Sequence, residues 1–242
     1  MKNKIALIKL GYVDRFVNFN KIKKWKSDLF EVTEIYCREY LPESDVDDNY
    51  FDLKYTKNKL GSIISCPSGS DFAVAIMPYR LVDNFYMHRV GGNCVIISLY
   101  EISDILIRDQ ISMENFITKQ LYEICALKYL AGDLSSDEVY NFVHRDTRGC
   151  LFDMNGERTN ILYNTEKPII CDSCKDRFKK EQINAKVISV LEKELKKIKK
   201  PPILQIEKHI KKYPLATMIM SGIVAIILNL LANLLWDIFK KS

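Results

Sequence analysis

Near its C-terminus the chain runs through twenty-three residues without a charge: PLATMIMSGIVAIILNLLANLLW, Pro214–Trp236. A soluble helix of that length shows a charged or polar face to water. About twenty apolar residues is the length a helix needs to cross the hydrocarbon core of a bilayer. Lys208, Lys211, Lys212 and Tyr213 precede the run, and Trp236, Lys240 and Lys241 close it. These are the residue types that settle at membrane–water interfaces. The run is therefore read as one transmembrane helix, 214–236. Only a short tail follows, which makes the chain tail-anchored. The upstream neck is far more basic than the tail, so the positive-inside rule keeps residues 1–213 in the cytoplasm, on a single-pass anchor in the inner membrane.

Within the span, Thr217, Ser221, Ala225, Asn229 and Asn233 recur every four residues. That period places them on one helical face. Small residues let helices approach closely, and two Asn one turn apart are costly against lipid. The expectation is a self-associating helix and hence a homo-oligomer. The plainer alternative is a passive anchor that tolerates these residues.

The net charge of +5 hides an uneven distribution. Lys175 to Lys212 hold thirteen Lys/Arg against five Asp/Glu, a balance of +8, and the last residues add +1. Residues 1–174 are left at about −4. A mildly acidic globule with a basic neck beside an apolar run fits a lipid surface as partner, and argues against nucleic acid. The opening MKNKIALIKLGYVDRF has one short apolar run and then charges, and reads as a first strand rather than a cleavable signal. Seven Cys, an odd number with a single C-x-x-C, suit a reducing compartment and a metal site better than a disulfide framework.

The order of patterns predicts an α/β (α+β) body. KIALIKL (4–10) and FEVTEIYC (30–37) read as strands, with helical spacing in VNFNKIKKWKSDLF (17–30) between them. DFAVAIMPY (71–79) and NCVIISLYEI (93–102) are near-continuous apolar runs, as buried strands require. MENFITKQLYEICALKYLAG (113–132) is the strongest helix, with Gly132 suited to its C-cap. DEVYNFVHRD (137–146) is a second, shorter one, and AKVISVLEKELKKIKKPP (185–202) is an amphipathic, basic helix leading out of the body.

The chemistry concentrates in HRDTRGCLFDMNGERTNILYNTEKPIICDSC, 144–174. Cys171-x-x-Cys174, read as a turn after KPII, is a weak signal alone, but Cys150 and His144 upstream complete a common tetrahedral zinc set, with Asp146 or a water as the alternative to His144. Cys37, Cys66, Cys94 and Cys125 fall in apolar contexts and read as small core residues. In this segment the chain resembles the archaemetzincins, zinc metallopeptidases with the pattern H-E-x-x-H-x-x-G-x-x-H-C-x4-C-x-M-x17-C-x-x-C. His144 matches the third His, Cys150 the second Cys, and Cys171 and Cys174 the final pair with one extra residue in the spacing. Arg145 stands at the first Cys and Phe152 at the Met. The resemblance covers roughly residues 3–178. It implies a zincin-like mixed sheet with helices and a Cys-rich zinc loop.

The departures weigh more than the matches. On QLYEICALKYLAG, Glu123 matches the general base, but Tyr122, Ala126 and Gly132 stand at the three histidine positions. A peptidase zinc needs three protein ligands and an activated water. The resemblance thus implies lost catalytic zinc and a retained structural zinc on Cys150, Cys171, Cys174 and His144. A metallopeptidase with an unusual set, Glu123 as base and His88 or His144 as ligands, is the alternative. Separately, MPYRLVDNFYMHRVGG (77–92) gathers Tyr79, Arg80, Tyr86, His88 and Arg89 between two strands, where α/β sheets place ligand sites. The domain reading is a zincin-like cytoplasmic domain (1–178), a basic helical neck (179–213) and the transmembrane helix (214–236). The functional expectation is a membrane effector that senses a small-molecule or protein trigger, and its architecture is similar to that of bacterial anti-phage effectors.

Overall fold

Residues 72–77, FAVAIM, are buried at every position, which only a strand covered on both faces allows. The computed structural model describes residues 2–46, 53–82, 85–134, 142–199 and 202–241, and separates two units, Met1–Lys199 and Lys200–Ser242. In the first unit, here the body, the chain runs β1 (Asn3–Leu10), α1 (Phe19–Lys23), β2 (Phe30–Arg38), β3 (Lys54–Tyr55), α2 (Lys57–Ile63), β4 (Phe72–Met77), β5 (Arg80–Leu81), β6 (Met87–Gly91) and β7 (Cys94–Ser98). Then come α3 (Ile102–Arg108), α4 (Met113–Ala131), α5 (Ile161–Glu166), α6 (Asp172–Lys180) and α7 (Ala185–Leu195).

The main sheet has the order β2-β1-β4-β7-β6. Four strands are parallel, and the edge strand β6 runs antiparallel to β7. Alternation splits the core. Ile5, Leu7, Val74, Ile76, Val95 and Ile97 face a large cluster that includes Phe116, Leu121 and Ile124 of α4. Ala6, Ile8, Ala75, Met77 and Ile96 face a smaller cluster with Tyr55, Leu60 and Leu81. The small Ala73 and Ala75 let this second layer lie close to the sheet. A mixed sheet flanked by helices is the α/β architecture expected.

Three local readings differ. The helical spacing of 17–30 yields only five helical residues, because Trp25 folds inward and Ser27 to Leu29 feed β2. NCVIISLYEI breaks at Glu101, which adopts φ 60° and starts α3 instead of prolonging β7. Of the stretch 185–202, expected to lead outward, residues 185–198 pack on the body through buried Leu191, Leu195 and Ile198. The short helix expected at 137–146 lies partly outside the described residues; within them, His144 pairs with Asp153 as an isolated β-bridge.

The second unit holds α8 (Pro202–Lys212) and α9 (Pro214–Lys241). Pro214 opens α9, where a missing N–H costs nothing. Residues Pro214–Asn233 have a mean hydropathy of 2.3 and are unburied throughout, long and apolar enough to cross a membrane. The hydroxyls of Thr217 and Ser221 donate to Tyr213 O (2.9 Å) and Met218 O (2.8 Å) of the same unit, so neither is an unsatisfied polar group.

Candidate metal centre

Gly149 turns the chain with φ 73°, a left-handed conformation that suits a residue without Cβ. Just after it, Leu151 N–H donates to Ile169 O, and Ile169 N–H to Gly149 O. This isolated bridge brings Cys150 alongside 169–171. Cys171 then serves as N-cap of α6, and Cys174 lies in its first turn with its side chain buried. The pair expected in a turn is therefore fixed on a helix start. On the other side, the backbone of His144 exchanges bonds with Phe152 O and Met154 N–H.

These contacts gather His144, Cys150, Cys171 and Cys174 so that their ligand atoms all lie within 4.8 Å of one another. Sγ of Cys150 is 3.8 Å from Sγ of Cys174, and Sγ of Cys171 is 3.6 Å from Nε2 of His144. A tetrahedral zinc with ordinary bond lengths sets ligand atoms about 3.8 Å apart for two sulfurs and about 3.6 Å apart for sulfur and nitrogen. The donor set and its spacing fit zinc. All four positions are filled by protein and three of them are soft thiols, which is the composition of a closed structural site and leaves no place for a water.

The electrostatics suit a cation. The Cys174 thiol and the surrounding backbone amides pull Cys150 down to about 4, so it is a thiolate at neutral pH. Burial opposes ionisation of Cys171, but the Ser173 hydroxyl and the Cys174 amide outweigh it and lower its value. Cys174, facing the Cys150 thiolate, is pushed up.

Asp153, three residues after Cys150, was not evident from the sequence. Its Oδ2 accepts from the amides of Arg148 (3.0 Å) and Cys150 (2.9 Å), and its Oδ1 lies 3.0 Å from Nδ1 of His144. Nδ1 of His144 bonds the carbonyl of Asp146 at 3.1 Å, which leaves Nε2 facing the sulfurs, and Asp153 stands beside the ring as an outer-sphere carboxylate. A carboxylate near a Cys is too common in sequence to signal this role.

The other sequence candidates separate. Tyr86, His88 and Arg89 line a cavity of about 140 Å³ between β6 and α4, together with Glu123 and Asp153. Tyr79 and Arg80 do not. Tyr79 packs its ring on Gly11 and tilts against Tyr55 at 5.9 Å, while Arg80 stacks over Tyr100 at 5.7 Å. Thr217, Ser221, Ala225, Asn229 and Asn233 all lie in α9 of the second unit.

The chain matches no protein-family model and no curated protein. Among solved structures, the archaemetzincin of Methanopyrus kandleri is similar, with a TM-score of 0.45 and 12% identity over 76% of this chain and 97% of that one. The archaemetzincin of Archaeoglobus fulgidus complexed with malonate is similar too, with a TM-score of 0.37 and 13% identity over 72% and 99%. The likeness is to archaemetzincins.

Of the positions that the sequence reading sets at the motif histidines, Tyr122 is fully buried, accepts from Trp25 Nε1 (2.8 Å) and donates to Glu194 (2.9 Å). Ala126 is core and Gly132 caps α4. Glu123 is buried and bound by Lys119 at 2.9 Å, an ammonium with no exposure at all. Burial disfavours that ammonium, but the Glu123 carboxylate outweighs it and keeps Lys119 charged. With its amide oriented by the same pair, Gln120 donates to Glu123 at 2.7 Å and accepts from Lys119 at 3.3 Å.

Proposed function

We propose that the chain is a tail-anchored protein of the inner membrane whose body is a catalytically inactive, archaemetzincin-like sensor built around one structural zinc. A small molecule or a segment of a partner protein entering the β6/α4 cavity serves as trigger. The trigger promotes self-association of α9 through the Thr217–Asn233 stripe and disrupts the membrane, as an anti-phage effector does. One observation carries the inactive reading: Glu123 is committed to Lys119 and Gln120, with Tyr122 and Ala126 packed in the core beside it. A general base must reach a water held by a metal, and this carboxylate already has an internal cation.

The effector reading is tested by membrane depolarisation on expression of the wild type and of Asn229→Leu plus Asn233→Leu. The variant is expected to depolarise markedly less. Equal depolarisation would dispose of the effector version. A metallopeptidase reading has one observation in its favour, since Glu123 and His88 line the same cavity. It requires a second metal per chain, and zinc content of the purified protein separates the two readings: one ion supports the sensor, two the peptidase.

A further inference from the structure

One face of the body collects lysines. Lys21, from α1, joins Lys24 and Lys26, just beyond it, and Lys197, just beyond α7, around the exposed edge of the partly buried Trp25, whose indole N–H bonds Tyr122 inside the body, in an open groove. Lys23, Lys196 and Lys199 are exposed on the same two segments. The acids nearby are committed. Glu114 meets Lys21 at 3.8 Å but accepts from Asn18 N–H at 2.9 Å, Glu194, which meets Lys197 at 3.3 Å, is buried among its own donors, and the exposed Asp28 faces Lys2 at 3.9 Å. Lys23, Lys24, Lys26, Lys196 and Lys199 make no ion pair among the described residues.

This face lies where the chain leaves the body. Asn115 Nδ2 donates to Lys199 O at 3.0 Å, and its neighbour Glu114 is the residue that holds Asn18 and Lys21. Lys199 ends the body, and the apolar helix starts at Pro214. The chain between them, residues 200–213, spans at most about 50 Å when fully extended. A bilayer holding α9 is thus tethered within reach of the lysine face, at a high effective concentration. Anionic headgroups attract lysines at the surface, each by roughly fivefold in affinity, and Trp is the side chain that settles at headgroup level.

We infer that this lysine face, centred on Trp25, docks on the anionic phospholipid headgroups of the membrane that anchors α9. The inference rests on the membrane anchoring proposed above, and goes beyond it by fixing which side of the body meets the lipid.

The chain has two Trp, so Trp236→Phe leaves Trp25 as sole reporter. The full-length W236F protein is reconstituted in phosphatidylcholine vesicles with or without phosphatidylglycerol, each carrying a headgroup spin label. Trp25 fluorescence is expected to be quenched in the anionic vesicles, and to recover in the neutral ones and at high salt. In the W236F background, K23E/K24E/K26E is expected to weaken docking on the order of a hundredfold or more, with zinc content and circular dichroism unchanged. Should that variant misfold, the salt and lipid dependence of the W236F protein still decides. Quenching that is absent, or equal in both vesicles, overturns the docking alone. A saturable Trp25 response to polyuridylate without headgroup quenching overturns it too, and assigns the face to nucleic acid. Failure of the wild-type chain to float with vesicles of either composition overturns the anchoring together with the docking.

Discussion

His144 offers Nε2 to the sulfur cluster because Nδ1 is held by Asp146 O at 3.1 Å, with the Asp153 carboxylate, itself held by two backbone amides, 3.0 Å from the same nitrogen. The side chain is thus aimed before any metal arrives. Outer-sphere partners of this kind typically change metal affinity by about 10- to 100-fold. Asp153→Asn is therefore expected to keep one zinc per chain at saturation while losing affinity in that range, read by competition with a chromophoric chelator. A Cys171→Ser protein loses a ligand outright, so it would hold zinc far more weakly than D153N. The cluster of His144, Cys150, Cys171 and Cys174 was legible as a candidate because its residue types and spacing survive in one dimension. Asp153 was not, because its role depends on a turn that only the Gly149 and Ile169 contacts create.

At the level of elements, α7 shows how far amphipathic pattern carries and where it stops. The pattern identified the helix but not its destination. That destination is set by Glu194, a buried carboxylate that accepts from Ser27 Oγ (2.6 Å), Tyr122 OH (2.9 Å) and Asp28 N–H (3.0 Å). Burial pushes its carboxyl up, but these donors outweigh burial and hold it below the usual glutamate range. A depressed carboxyl stabilises the fold above its unfolded value and loses that contribution as pH falls through the folded one. Glu194→Gln is expected to cost about 1–3 kcal/mol near neutral pH, with the gap to wild type closing as pH drops below the ordinary glutamate range. Denaturant unfolding of both proteins at several pH values checks this, and the subtraction removes the acid lability of the zinc site. The same logic explains the other misreadings. The C-x-x-C segment reads as a turn, yet Cys171 caps α6 and that helix buries Phe178. Glu101 adopts φ 60°, so an apolar run that looks like one strand becomes a strand and a helix. In each case one cap or one kink, invisible to periodicity, decided the element.

On the scale of the whole molecule, body and apolar helix are two separately packed units, and none of the Pro214–Asn233 stretch is buried. The body's core clusters, as described, are built from residues of the first unit. Replacing α9 with an unrelated transmembrane sequence is therefore expected to leave zinc content and body stability unchanged while abolishing depolarisation. A replacement that still depolarises would reduce α9 to a passive tether. The strands β4 and β7 were legible because both-face burial leaves continuous apolar runs, and the edge strand β2 because its apolar residues alternate, whereas the order β2-β1-β4-β7-β6 was not, since it records long-range pairing.

Tyr122 carries a consequence for anyone who would build a metal site on α4. Its hydroxyl is a clasp between Trp25 and Glu194, so it fastens α1's exit and α7 to α4. Next to it, Lys119 supplies Glu123 with a positive charge that is covalently attached and cannot be chelated, exchanged or replaced by substrate. Grafting histidines at 122 and 126 would unfasten the body while leaving that resident cation in place. A metal site installed there would have to replace a structural fastening first.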